Sequence, residues 1–288
     1  MIEKDLLRRF LFAELGVRGE WVKLNDSWQA AKQHQQGPDI VQQQLGQALA
    51  AVVMLSATIK FKGSLIMQAQ GDGQIKTLVA QATDEKKIRG LVRSVGEINE
   101  GALEDLFGDG RLVLTIGSDN GRPYQGIVPL QGQNLAAAIQ TYFEQSEQLK
   151  TRLWLFANDT QAAGLLLQEV PQQQKDPDDW ERIVLLANTI TSQELLDLDS
   201  EAILYRLFNE DKVTIYPAEP VEFGCSCSRE KIENTLRTLG RAELEQILQE
   251  RPLIEVDCEF CNGNYQFDSI DVEKLLRTDS LVNSDTKH

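Results

Sequence analysis

The 288-residue chain has four cysteines, and all of them fall in two tight pairs. Residues 224–236 read GCSCSREKIENTL, and residues 257–267 read DCEFCNGNYQF. The spacing is Cys225-x-Cys227, then thirty residues, then Cys258-x-x-Cys261. Two close pairs joined by a longer loop are a zinc pattern, because four thiolates can surround one tetrahedral ion. Histidine does not compete as a ligand: the chain has only His34 and His288, neither in a ligand-like context. A metal here is therefore expected on four sulfurs. Two other readings stay open on spacing alone. The thiols could be unligated, or Cys-Glu-Phe-Cys could be a redox motif of the thioredoxin type. The latter needs a strand before it and a helix after it, and the sequence suggests neither.

The interval between the pairs has helical periodicity, with Ile232, Leu236 and Leu239 followed by Leu244, Ile247 and Leu248. Two short helices are expected, Ser228 capping the first. Asn262 and Gly263 suit a tight turn near a metal, with Tyr265 and Phe267 packing beside it. Structural zinc contributes on the order of 10–16 kcal/mol in small finger peptides, so a segment with so little apolar material should depend on its metal. Thiolates are also the form that oxidants attack.

Hydrophobic content of 42% and charged content of 25% describe a globular chain that buries a real core without disulfide staples. The start, MIEKDLLRRFLF, has acids where a signal peptide carries bases and lacks a small-residue cleavage site. No apolar run suggests a membrane span, so a cytoplasmic protein is expected. The net charge of −15 is uneven: −2 over residues 1–170, −7 over 171–220 and −6 over 221–288. Nucleic-acid binders concentrate positive charge instead.

Residues 1–170 read as mixed α/β, a single domain of long helices on a sheet. DIVQQQLGQALAAVVMLSATIK (39–60) is a helix with Val41, Leu45, Leu49, Val52 and Val53 clustered by spacing. Leu65, Met67 and Ala69 alternate with polar neighbours, and GDG (71–73) turns the chain into IKTLVAQA. Further strands are expected at 111–117, 124–130, 152–158 and 164–170, with a helix over 134–149. GDGQIK (71–76) and GDGRLV (108–113) lack the P-loop pattern and are read as hairpin turns. Tyr142 and Phe143 are assigned to the core. PQQQKDPDD (171–179) reads as a boundary. After it, Trp180, Ile183, Val184, Ala187 and Ile190 form one helical face, and Ile203, Leu204, Leu207 and Phe208 another. These faces need a surface to lie on.

FGCSCSRE (223–230) and CEFCNGNYQF (258–267) resemble the zinc-binding end of the heat-shock protein 33 family, the redox-regulated holdase chaperones. The resemblance is full-length, through FAELGVRGEWV (12–22), ATIKFKG (57–63), MQAQGDG (67–73), YQGIVPL (124–130) and YFEQSEQLKTRLWL (142–155). It implies an α+β protein with an N-terminal mixed α/β core at 1–170 for client binding and dimerisation. A metastable helical linker at 171–221 and a zinc-binding redox-switch domain at 222–288 follow. It implies one Zn2+ per reduced, inactive chain, on Cys225, Cys227, Cys258 and Cys261. Oxidation then gives disulfides Cys225–Cys227 and Cys258–Cys261, zinc release and linker unfolding. The active form is a homodimer that holds unfolding clients during oxidative stress and passes them to heat-shock protein 70 type chaperones. No catalytic residue, nucleic acid or membrane is implied. The rivals are a constitutive binding protein with a purely structural zinc module, an enzyme, and a nucleic-acid-binding zinc ribbon. A closed four-cysteine site argues against the enzyme, and the acidic charge argues against the ribbon.

Overall fold

The computed structural model describes residues 3–59, 62–118, 123–170 and 176–282, and divides into two compact units, Met1–Gly224 and Cys225–His288. In the first unit, β1 (Leu6–Phe12) and β2 (Val17–Leu24) form a hairpin and are followed by helices α1 (Asp26–Lys32) and α2 (Asp39–Thr58). A meander follows: β3 (Gly63–Gly71), β4 (Ile75–Thr83) and β5 (Lys87–Ser94). Next come α3 (Leu103–Phe107), β6 (Gly110–Ser118), β7 (Tyr124–Pro129), α4 (Leu135–Tyr142), β8 (Thr151–Ala157) and β9 (Ala162–Glu169). Three helices, α5 (Pro177–Ala187), α6 (Ser192–Asp197) and α7 (Ser200–Phe208), precede three two-residue strands: β10 (Thr214–Ile215), β11 (Glu219–Pro220) and β12 (Glu222–Phe223).

The expected single sheet is in fact two. One runs β10-β1-β2-β9-β8, with β11 also on β1; the other runs β12-β5-β4-β3-β6-β7. Helix α2 packs against strands of both, which explains its composition. Every residue from Ala48 to Ser56 is buried, so it needs apolar or small side chains all round rather than one stripe. A Cβ on Gly46 would stand 2.7 Å from the Cβ of Ala157, so glycine lets the helix approach the β8–β9 hairpin. This helix is long and apolar enough to cross a membrane, contrary to the expectation that no run would be, but it is mostly enclosed by protein.

The 39–60 helix ends at Thr58, and residues 60–61 lie outside the described residues, as do 171–175 of the boundary segment and His288. The helix expected over 134–149 stops at Tyr142 and continues as one π-turn, Phe143–Glu147, closed by Gln148 in the left-handed region. Tyr142 and Phe143 are buried, as expected. GDG at 71–73 joins β3 to β4, but GDG at 108–110 is not a hairpin: it joins α3 to β6. The two turns brace each other, Gly73 N–H donating to Phe107 O at 2.8 Å and Asp109 N–H to Asp72 Oδ1 at 2.8 Å.

The first sheet is buried on both faces, as its alternation requires. Leu7, Val22, Leu24, Leu153, Leu155 and Leu166 join the α2 core. Phe10, Phe12, Val17, Trp21, Ala163, Leu165 and Leu167 point the other way, where Trp180, Ile183, Ala187, Ile203, Leu207 and Phe208 of α5 and α7 meet them. The two helical faces read from the sequence thus lie on the outer face of this sheet. Gly19 makes room there: a Cβ would be 2.1 Å from the ring of Phe10, its partner across the hairpin. Polar clamps add to the apolar contact. The buried Lys23 ammonium donates to Leu198 O at 2.7 Å, Ser200 N–H donates to Glu3 Oε2 at 2.8 Å, and Trp154 Nε1–H donates to Asn188 Oδ1 at 3.2 Å.

Glu20 on β2 is 2% exposed, and its Oε2 has no hydrogen-bond partner among the described residues. Burial pushes its carboxyl up to about 7 against the opposing pull of Arg18 and Arg9. A raised carboxyl favours the folded state below its ordinary value of 4.5 and loses that advantage as pH rises through about 7. Glu20→Gln should therefore flatten stability between those pH values and stabilise the protein above pH 7 by about 3 kcal/mol. Denaturant unfolding across pH checks this, and an unchanged pH profile would contradict it.

Candidate metal centre

The second unit contains α8 (Arg229–Leu239), α9 (Arg241–Glu250), the antiparallel hairpin β13 (Ile254–Asp257) and β14 (Asn264–Phe267), and α10 (Ser269–Val282). Its helices form where periodicity places them, and Ser228 Oγ accepts from Lys231 N–H at 3.3 Å as the cap of α8. Among the described residues its buried apolar core is Leu236, Leu244, Ile254, Phe267, Val272 and Leu275. Leu239, expected on the inner face, is 41% exposed.

Each cysteine pair sits where local structure fixes it. Cys258 and Cys261 lie on the turn between β13 and β14. Cys258 N–H donates to Gly263 O at 2.9 Å, and Asn262 N–H donates to Cys258 O at 2.7 Å. Asn262 takes φ +51°, in the left-handed region that asparagine tolerates best after glycine. A Cβ on Gly263 would stand 3.4 Å from Cys261 Sγ and 3.9 Å from Cys227 Sγ, which places this glycine directly beside the sulfurs. Cys225 and Cys227 lie just before the cap of α8, where the helix N-terminus favours negative charge.

The four sulfurs lie within 4.8 Å of one another. The contacts Cys225–Cys258 at 3.6 Å and Cys227–Cys261 at 3.3 Å run between the pairs, and none of the four cysteines is in a disulfide. A tetrahedron of Zn–S bonds of ordinary length has edges of about 3.8 Å, so this cluster fits such an ion. Cys258 is buried and the other three are partly exposed. Burial, then hydrogen bonds among the thiols, push Cys261 up to about 12, while Gly263 N–H opposes this. Burial likewise raises Cys258, with Phe260 N–H opposing it. Crowded neutral thiols thus resist ionisation, and a dication among them would reverse the balance.

Around the sulfurs, Tyr265 hydrogen-bonds to Cys227, and that bond raises its phenol to about 12. Arg229 was not singled out from the sequence. Its guanidinium lies 4.3 Å from the Phe267 ring and donates to Gln266 O at 3.0 Å and Asp271 Oδ2 at 2.7 Å, tying α8 to β14 and α10. One arginine among several charged neighbours carries no sequence signal for this role. His34 stands apart on the first unit, its ring 5.8 Å from that of Phe223. A strand does precede Cys258, contrary to expectation, but the chain leaves Cys261 through a turn into β14 rather than a helix, so the thioredoxin arrangement is not formed.

An α+β unit followed by a small module built around four converging thiols defines a class of two-part proteins with a cysteine-only cluster that could hold a metal ion. The family profile described as "Hsp33 protein" matches residues 5–268, and the chain belongs to this family. A "33 kDa chaperonin" of Nitrosococcus oceani is 57% identical over 276 residues, covering 96% of both chains. One of Methylobacillus flagellatus is 43% identical over 289 residues, covering 99% of both. The crystal structure of the 33 kDa chaperonin of Thermotoga maritima superposes with a TM-score of 0.84 over 96% of this chain and 99% of that one, at 23% identity, and so shares the fold.

Protons and metal compete for the sulfurs, so metal affinity should rise steeply between about pH 6 and pH 8. Chelator competition across pH measures this. Metal affinity independent of pH would contradict thiolate ligation.

Proposed function

We propose that this protein is a redox-regulated chaperone of the holdase type, inactive while its four cysteines hold zinc and activated when oxidants convert the thiolates to disulfides and the zinc is released. The observation that carries the reading is the cluster of four cysteine sulfurs within 4.8 Å in a member of the Hsp33 family. The relatives' name, 33 kDa chaperonin, supports the chaperone part. Cys225, Cys227, Cys258 and Cys261 are the proposed ligands. Zinc, when bound, supplies the charge that keeps four thiolates together and so holds the small module folded. A closed four-sulfur set leaves no open position for substrate, which fits a non-enzymatic role.

Oxidation proceeds pair by pair. Two thiolates give up two electrons and form one S–S bond, while one peroxide takes those electrons and two protons and leaves as two waters. We assign the products to Cys225–Cys227 and Cys258–Cys261 on the family resemblance. The module, with six buried apolar side chains among the described residues, then loses its main support. The segment at 171–221 follows. Eleven acidic side chains against four basic ones in residues 171–220 favour its detachment by self-repulsion. Its departure uncovers Phe10, Phe12, Trp21, Leu165 and Leu167, an apolar face suited to unfolded clients. On this reading the active form is a cytoplasmic homodimer that hands clients to heat-shock protein 70 type chaperones. It engages neither membrane nor nucleic acid, in keeping with the net charge of −15.

Zinc content read with a chromogenic chelator before and after peroxide, alongside light scattering of a heat-aggregating client, tests this. One equivalent of zinc should be released, and aggregation should be suppressed only afterwards. Zinc that stays bound while the client aggregates would make the module purely structural.

A further inference from the structure

Residues 209–224 have an unusual relation to the sheets. Only Val221 among them is buried, yet their backbone is stitched along the strand edges. Ile215 and Thr214 pair with Phe10 and Leu11 of β1, and Pro220 and Glu219 pair with Leu6 and Leu7. Tyr216 N–H donates to Arg9 O at 2.9 Å, and Val221 N–H donates to Asp5 O at 2.8 Å. The strap thus ends the sheet by backbone hydrogen bonds, with little side-chain burial.

It is also a poor strand. Between its two short pairings the register slips by one residue, since Phe10 faces Ile215 but Leu7 faces Glu219. The slip falls at Pro217–Ala218. Glu219 and Val221 point their backbone groups at β1, so Pro220 between them turns its missing N–H outward, where it blunts the sheet against a further strand. Removing the strap would leave seven residues of β1 as an open edge, flanked by the apolar side chains of Phe10 and Phe12. The carbonyls of Asp5 and Arg9 face that edge, and strand alternation places the amides of Leu7, Arg9 and Leu11 there too.

We propose that the β1 edge now occupied by this strap is where an extended segment of an unfolded polypeptide adds as an extra antiparallel strand. The proposal rests on the chaperone reading and specifies how clients are held. An uninterrupted client strand can pair along all of β1, which the slipped strap does not. Backbone pairing reads no sequence, and alternate side chains would lie on the Phe10 and Phe12 face, so the edge suits unrelated clients with a preference for apolar alternation.

The test is amide hydrogen exchange of the full chain, reduced and peroxide-oxidised, with and without reduced and carboxymethylated lactalbumin as a permanently unfolded client. Client binding is measured in the same samples by size exclusion. Oxidation should expose the amides of Leu7, Arg9 and Leu11, and client should slow their exchange again by about tenfold or more. A nine-residue alternating Val/Thr peptide should compete for that protection, and the same peptide N-methylated at every second amide should not. Bound client without renewed protection at these amides overturns the edge proposal and leaves the chaperone reading standing. Absence of client binding to the oxidised protein overturns both.

Discussion

Four thiolates within a few ångströms of one another repel strongly, and burial adds to the cost. In the absence of a cation Cys258 and Cys261 are accordingly shifted towards the protonated form. Everything in the second unit depends on how that tension is resolved. Its core, six residues among those described, is small for a unit of its length, and two of its connections, the β13–β14 turn and the loop before α8, exist to present sulfurs. A bound dication turns the repulsion into the strongest cross-link in the module. Loss of the thiolates returns the module to a core too small to hold it.

The first unit stores its own conditional contacts. Its central helix is enclosed by two sheets and has no evident way to open. The outer face of one sheet is different, being covered by α5–α7 through a continuous apolar interface with a few polar clamps. Beyond them the chain runs as a strap to Gly224 with almost nothing buried. Stability thus falls off from α2 outward to the strap, the order in which local opening is expected.

Elements with a clean period were legible in the sequence: α2, the alternating Leu65, Met67 and Ala69 of β3, and the faces of α5 and α7. The cysteine cluster was legible for a different reason, since metal geometry constrains spacing more tightly than packing does. The α+β class was what the family resemblance implied. The division of the strands into two sheets was not foreseen. Strands β1 and β2 carry Arg8, Arg9, Glu20 and Lys23, and a buried carboxylate and a buried ammonium break the alternation that marks a half-buried strand. The strap was invisible because two-residue strands have no period at all. The second GDG was misread because a turn after a short helix uses the same residues as a hairpin. Arg229 could not be found without knowing that α8, β14 and α10 converge on it.

The most direct test of the account is hydrogen exchange over α8, α9 and α10 in the full chain before and after metal is stripped by a chelator under reducing conditions. Amides of all three helices should approach unfolded exchange rates once metal is gone, while those of α2 keep their protection. Retained protection across α8–α10 in metal-free protein would contradict the claim that metal-bridged thiolates hold the second unit together.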